Sequence, residues 1–368
     1  MFWWLAACGG GGAERPAGLT VEEVRGHLPA DLPDGSSWAE DLRAALVAAG
    51  EVPDVSAVCQ VVAIVEQEST WQADPPVAGL GKVVTAQVDV RLAKLGPLEG
   101  AVRAQVLDVR GEGRASTFAE RLGTVRTERE VDLLFQEIVD HQRSRAPALA
   151  TAVELVFPTL EERLNPIETA GSMQVSVAWA QALGRAEELE PAEVRDLLYT
   201  REGGLRYGTA RLFLHDAAYD APLYRFADYN AGVYSSRNAA VQERLARLTG
   251  LEVDPDGDLL TWTDRGRPAR TQDGQTMTAA RAWRDARHPE LDDDTLADDL
   301  AREKTAEFEE TGTWRLLWAD DTAALGHAPA YARVPDVALD SPKLSGAKTT
   351  AWFAKNVDRR YQDCLRRR

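Results

Sequence analysis

Cysteine is scarce: three residues, Cys8, Cys59 and Cys364, in a chain of 368. That is too few for a disulfide scaffold, and their wide spacing fits no zinc motif. Histidine is nearly as rare. His27, His141, His215, His288 and His327 lie far apart, and no His-x-x-x-His helix pair occurs. Neither a metal site nor a cofactor is therefore expected. Basic residues number 42 against 59 acidic ones, a formal charge of −17. A polyanion needs a surplus of Lys and Arg on one face, so nucleic acid is not an expected partner. Charge alone would not hold the chain to an anionic membrane either. No apolar run reaches the roughly 20 residues that cross a bilayer. Gly79-Leu80-Gly81-Lys82 lacks the spacing of a phosphate loop, and there is no Gly-x-Ser-x-Gly elbow. Asp254-Pro255-Asp256-Gly257-Asp258 lacks the Gly and Glu positions of a calcium loop and is expected to be a tight acidic turn.

Helical periodicity is what the chain does have, and the fold class it predicts is mainly α. Thr20 followed by Glu23 has capping-box spacing, and Ser37 ahead of Trp38-Ala39-Glu40 has the same form. Residues 55–68 place Val58, Val61, Val62 and Val65 on one stripe. Further helices are predicted over 85–108, 115–145, 148–156, 174–185, 191–199, 205–218, about 237–249 and within 276–318. Residues 349–364 predict a closing helix. The Gly, Asp, Pro and Thr of 250–275 predict turns with a short strand or two.

At the N-terminus, Leu5-Ala6-Ala7-Cys8 resembles the lipobox of bacterial lipoproteins. The resemblance implies a signal-peptide remnant over 1–8, acyl chains on Cys8, and a membrane partner through that lipid. It also implies a place in the cell envelope, on the outer membrane facing the periplasm. Several acyl chains anchor stably because each buried methylene contributes about 0.8 kcal/mol. Residues 9–18, opening with four glycines, are then a flexible tether. In an oxidising compartment Cys59 and Cys364 remain as an even pair. They are either bridged, pinning the final helix to the valine-rich one, or two buried thiols.

Three short segments carry the chemistry. They are Glu66-Gln67-Glu68-Ser69 at the end of the valine-rich helix, Gly171-Ser172-Met173-Gln174-Val175, and Asp228-Tyr229-Asn230-Ala231-Gly232. Cleaving a glycosidic bond needs an acid for the leaving oxygen, and a carboxyl at the edge of an apolar helix face can hold a proton near neutral pH. On a helical wheel Glu66 and Glu68 flank the stripe on opposite sides, and the wheel does not choose between them. Gly171 to Val175 suits a tight turn entering a helix, and Tyr229 and Asn230 suit a loop feeding one.

In this order the three segments resemble the motifs of the lytic transglycosylase and goose-type lysozyme superfamily. The resemblance implies a lysozyme-like domain acting on the glycan strands of peptidoglycan, with Glu68 as catalytic acid and then base. Ser69, Met173, Gln174, Tyr229 and Asn230 would line the glycan groove, and the sugar's own C6 hydroxyl would attack to give a 1,6-anhydro-muramyl product. The stretch Gly203-Gly204-Leu205-Arg206-Tyr207-Gly208 is similar to the family's preceding element. The longer wording from Tyr224 to Gln242, with the tail Trp352 to Cys364, resembles a narrower group of Gram-negative outer-membrane lipoproteins of the YaiW type. The implied organisation is a lysozyme-like domain over 19–250, a helical insertion over about 78–165, and a C-terminal unit over 251–368. The insertion, with Ser172 and Asp228 where the family has Leu and Ala, keeps a second reading open: a peptidoglycan-binding scaffold or transport helper without turnover. Asp228 is expected at the surface, as a cap, or as a second carboxylate near the groove.

Overall fold

The structure is a computed structural model that describes residues 18–145, 165–262, 274–339 and 348–367. The lipidation expected at Cys8, most of the tether and the helix expected at 148–156 lie outside the described residues. Within them the chain is mainly helical, with two short antiparallel ladders. No helix among these residues is long and apolar enough to cross a membrane.

Three apolar cores organise the described residues. The first is built around α3 (Val55–Glu68), with α1 (Val21–His27) and α2 (Gly35–Ala48) beside it. The valine stripe understates how α3 sits. Every residue from Ala57 to Val65 is buried, because helices cover it on all sides, and a helix apolar all round belongs in a core. The Thr20–Glu23 capping box is present at the start of α1. The box expected at Ser37 is not: α2 begins at Gly35, and Asp34 turns the chain with φ 52°. Ser37 therefore lies within the helix.

The second core belongs to the segment between the first two motifs. Leu80, Val84, Val88 and Leu92 share one face of α4 (Leu80–Ala93). They pack with Phe118 and Leu122 of α6 (Phe118–Leu122) and with Val131, Leu134, Phe135 and Ile138 of α7 (Glu128–Arg145). The short α5 (Glu99–Val106) lies between α4 and α6 in the chain. On α7, buried Asp132 accepts hydrogen bonds from Arg195 (2.7 Å), Tyr199 (2.5 Å) and Asn165 (2.5 Å). This ties the insertion to α9 (Pro191–Leu198) and the residue after it.

The chain then returns through a hairpin of β1 (Thr169–Ala170) and β2 (Val175–Ser176), paired Thr169 with Ser176 and Ala170 with Val175. It continues through α8 (Val177–Ala186), α9, α10 (Arg201–Leu212) and α11 (Pro222–Ala231).

A third core joins α12 (Ser235–Thr249), α13 (Gln275–Arg287), α14 (Asp293–Leu300) and α15 (Gly312–Leu325). Residue 250 is therefore not a boundary, since Val241 and Leu245 of α12 pack with Trp283, Leu300 and Leu317. Nor is 251–368 one unit. After β3 (Ala338–Leu339) and β4 (Lys348–Thr349), the last helix, α16 (Thr350–Leu365), rejoins the first core beside α3 and α11. Cys364 is bonded to Cys59, with their Cα atoms 5.5 Å apart.

Glu303, fully buried in the third region, accepts hydrogen bonds from the Leu259 amide and the Trp262 indole. Burial outweighs both and pushes its carboxyl from the ordinary 4.5 up to about 7. The folded chain thus keeps this proton where the unfolded chain releases it. The associated stability is full below pH 4.5 and is lost as the pH rises to about 7, amounting to about 3 kcal/mol. Melting temperature should fall over that window in the wild type and fall less in Glu303→Gln. Equal slopes in the two proteins would contradict the assignment.

Candidate functional site

The site begins where α3 stops. The Ser69 amide donates to the Val65 carbonyl, and the buried Ser69 hydroxyl donates to the same oxygen at 3.2 Å. Thr70 and Trp71 follow with φ of 51° and 64°, a left-handed pair that is costly for a β-branched and a bulky residue. Packing holds it: Trp71 is buried edge-on against Trp38, with ring centroids 5.2 Å apart. The turn leaves Glu68 lining a cleft. Glu66 is engaged elsewhere, accepting from Arg367 at 2.6 Å. The two carboxylates that the wheel left equivalent thus occupy different places.

The second wall is the turn between β1 and β2. Gly171 takes φ 81°, and a Cβ there would lie 2.2 Å from the Leu198 carbonyl oxygen. Glycines on α10 let the turn press in. A Cβ at Gly208 would overlap Met173 Sδ at 2.3 Å, and one at Gly204 would meet the Ser172 hydroxyl at 2.7 Å. Met173 is consequently fully buried. Its side chain is core rather than groove lining, and Ser69 is likewise a buried helix end, so neither side chain occupies the groove position expected of it. Gln174, with φ 50°, does line the cleft. Its side chain accepts from the Thr169 hydroxyl (2.9 Å) and donates to Glu128 Oε2 (3.0 Å).

Tyr229 and Asn230 form the third wall. They sit in the last turn of α11, which Gly232 terminates with φ 130°, and not in a loop before a helix. The Tyr229 hydroxyl donates to the Met173 carbonyl at 2.8 Å, joining the second and third segments directly. Burial and the nearby charge of Glu68 raise the pKa of that hydroxyl, so it stays protonated. Asn230 is exposed and accepts from the Thr350 hydroxyl at 3.2 Å.

Asp228 is neither at the surface nor a groove carboxylate; of the places expected for it, it takes that of a cap, on the first turn of α12. It is buried, and it accepts from His215 (2.9 Å), Tyr219 (2.6 Å), Ser235 (3.0 Å) and the Ser236 amide (2.7 Å). It thereby fixes the end of α11 against the start of α12. The acidic turn at Asp254 to Asp258 closes on itself, with Asp256 accepting from Gln242 (2.6 Å) and from the Asp258 amide (3.1 Å).

The cleft encloses about 740 Å³, within the range of small-ligand sites. Three of its lining residues escaped the sequence reading: Glu128 from the insertion, Arg211 near the end of α10, and Trp352 from α16. Glu128 is 2% exposed, and only its place one residue beyond the helix cap Thr127 marks it in the sequence. Among the described residues, the close group suited to a metal is His27, Cys59 and Cys364, whose two sulfurs are already bonded to each other.

No solved structure matches the chain. It is 33% identical over 344 residues to the uncharacterized protein YaiW of Escherichia coli strain K12, covering 93% of this chain and 88% of that one. Residues 31–367 match the family described as "Protein of unknown function (DUF1615)". That span takes in all three segments and the closing helix, and the chain belongs to this family.

Proposed function

We propose that this protein is an envelope lipoprotein whose lysozyme-like domain cleaves peptidoglycan glycan strands by the lytic transglycosylase route. One observation carries the proposal. Glu68, Gln174, Tyr229 and Asn230, from three segments far apart in sequence, line one cleft of about 740 Å³.

In the proposed reaction Glu68 delivers its proton to the glycosidic oxygen as the bond to the anomeric carbon breaks. The C6 hydroxyl of the same sugar attacks that carbon and returns its proton to Glu68. The product is a 1,6-anhydro ring, and no water is consumed. Tyr229 and Gln174 are held by their own hydrogen bonds, so they meet a sugar without first reorganising. Left-handed backbone at Thr70, Trp71 and Gln174 around the cleft also supports a functional site, because such strain persists where surrounding structure enforces it.

Incubating the protein with purified peptidoglycan should release anhydro-muramyl fragments detectable by mass spectrometry. One feature favours a second reading, that of a glycan-binding scaffold: the insertion places buried Glu128 in the cleft wall. Strands bound without any fragment released would support that reading and overturn the first. Anchoring is tested separately. Cys8→Ser should move the protein out of the membrane fraction, and unchanged retention without an acylated N-terminal peptide would sink it.

A further inference from the structure

A cation lies in a cleft that otherwise carries carboxylates. Glu68 and Glu128 line it, and the whole chain has a formal charge of −17. Arg211 lines it too, in the last turn of α10, half-buried beside Trp179 with its guanidinium 5.9 Å from the ring centroid. Burial depresses its pKa, and Tyr229 and Asp228 oppose that shift. Other arginines that are buried or half-buried have acceptors. Arg195 has Asp132, Arg201 has Asp41, Arg225 has the Leu212 and His215 carbonyls, and Arg237 has the Glu303 carbonyl. Among the described residues Arg211 has no hydrogen bond and no ion pair. A guanidinium half out of water without acceptors is unfavourable. Its planar fork of N–H donors matches a carboxylate bidentately.

A second feature of the cleft fits the same ligand. Trp352 is 37% exposed where it lines the cleft, and Lys348 Nζ lies 4.0 Å from its ring centroid. An accessible indole offers a flat apolar face to a sugar ring, and the ammonium beside it adds positive potential.

We infer that Arg211 receives a carboxylate borne by the glycan, so that the cleft takes acidic amino-sugar strands in preference to neutral strands of the same backbone. This rests on the glycan reading above and narrows it. In peptidoglycan the carboxylate has two sources: the lactyl group of a muramoyl residue stripped of its peptide, or an acid of the stem peptide.

The test uses the full chain and three tetrasaccharide probes: chitotetraose, peptide-free GlcNAc–MurNAc repeats, and the same repeats carrying stem peptides. Calorimetry should give at least one acidic probe a Kd about tenfold or more below that of chitotetraose, as a charge-assisted contact implies. The preferred acidic probe identifies the source. Arg211→Gln should bring the ratio close to one. Arg211→Lys, which keeps the charge without the fork, should restore part of it, separating recognition from misfolding. Equal affinity for neutral and acidic probes, or a preference unchanged in Arg211→Gln, overturns the inference and leaves the glycan reading standing. Failure of the wild type to bind any probe overturns both.

Discussion

Glu68→Gln should lower release of anhydro-muramyl products by at least about 10²–10⁴-fold, the usual contribution of a positioned acid–base group, while strand binding persists. The amide keeps the shape and the hydrogen-bonding capacity of the side chain but has no proton to deliver. One group serves as acid and then as base in the proposed cycle, so a single substitution removes both steps. Glu66→Gln is the internal control. Glu66 pairs with Arg367, and its loss should cost little activity and at most a small amount of stability. Equal turnover by wild type and Glu68→Gln would remove Glu68 from the chemistry. Equal loss in both variants would mean that the end of α3, rather than the proton, had been disturbed.

Asp132→Ala should destabilise the fold by about 3–5 kcal/mol, because it strands the buried Arg195 guanidinium without its partner. The Tyr199 hydroxyl and the Asn165 amide lose their acceptor in the same step. Asp132→Asn, which keeps an acceptor oxygen, should cost less. The consequence reaches the cleft, since Glu128 lies one helical turn before Asp132 on α7 and holds Gln174. Loosening α7 should therefore raise KM before the protein unfolds. Equilibrium denaturation of wild type and both variants measures the effect. A loss below about 1 kcal/mol for Asp132→Ala would show that the insertion is docked by other contacts.

Most helices were legible because their signals are local. The Thr20 capping box, the closing helix and the helices within 276–318 all appear near where local signals put them. So do helices in the long segment between the first two motifs, α4 to α7, where a bare loop of that length is not expected. What was not legible depends on neighbours distant in the chain. Nothing near Met173 says that Gly208 leaves a socket for it. Nothing near Asp228 says that His215, Tyr219 and Ser235 will converge on it. The resemblance named Glu68, but nothing near Glu66 says that it will pair with Arg367, some 300 residues away. Tyr229 and Asn230 were placed in a loop because Gly232 suggests a break. It is one, but it ends a helix where the start of one was expected.

The bond between Cys59 and Cys364 spans 305 residues, and α16 brings Trp352 and Phe353 to the cleft that Glu68 lines. A polypeptide delivered N-terminus first therefore presents its carboxylate long before the facing wall exists. Only after residue 364 has followed, in surroundings oxidising enough to join the sulfurs, are floor and wall held together by a covalent link. Completion of the cleft is thus coupled to completion of synthesis. A half-made chain would carry the motifs without a finished groove.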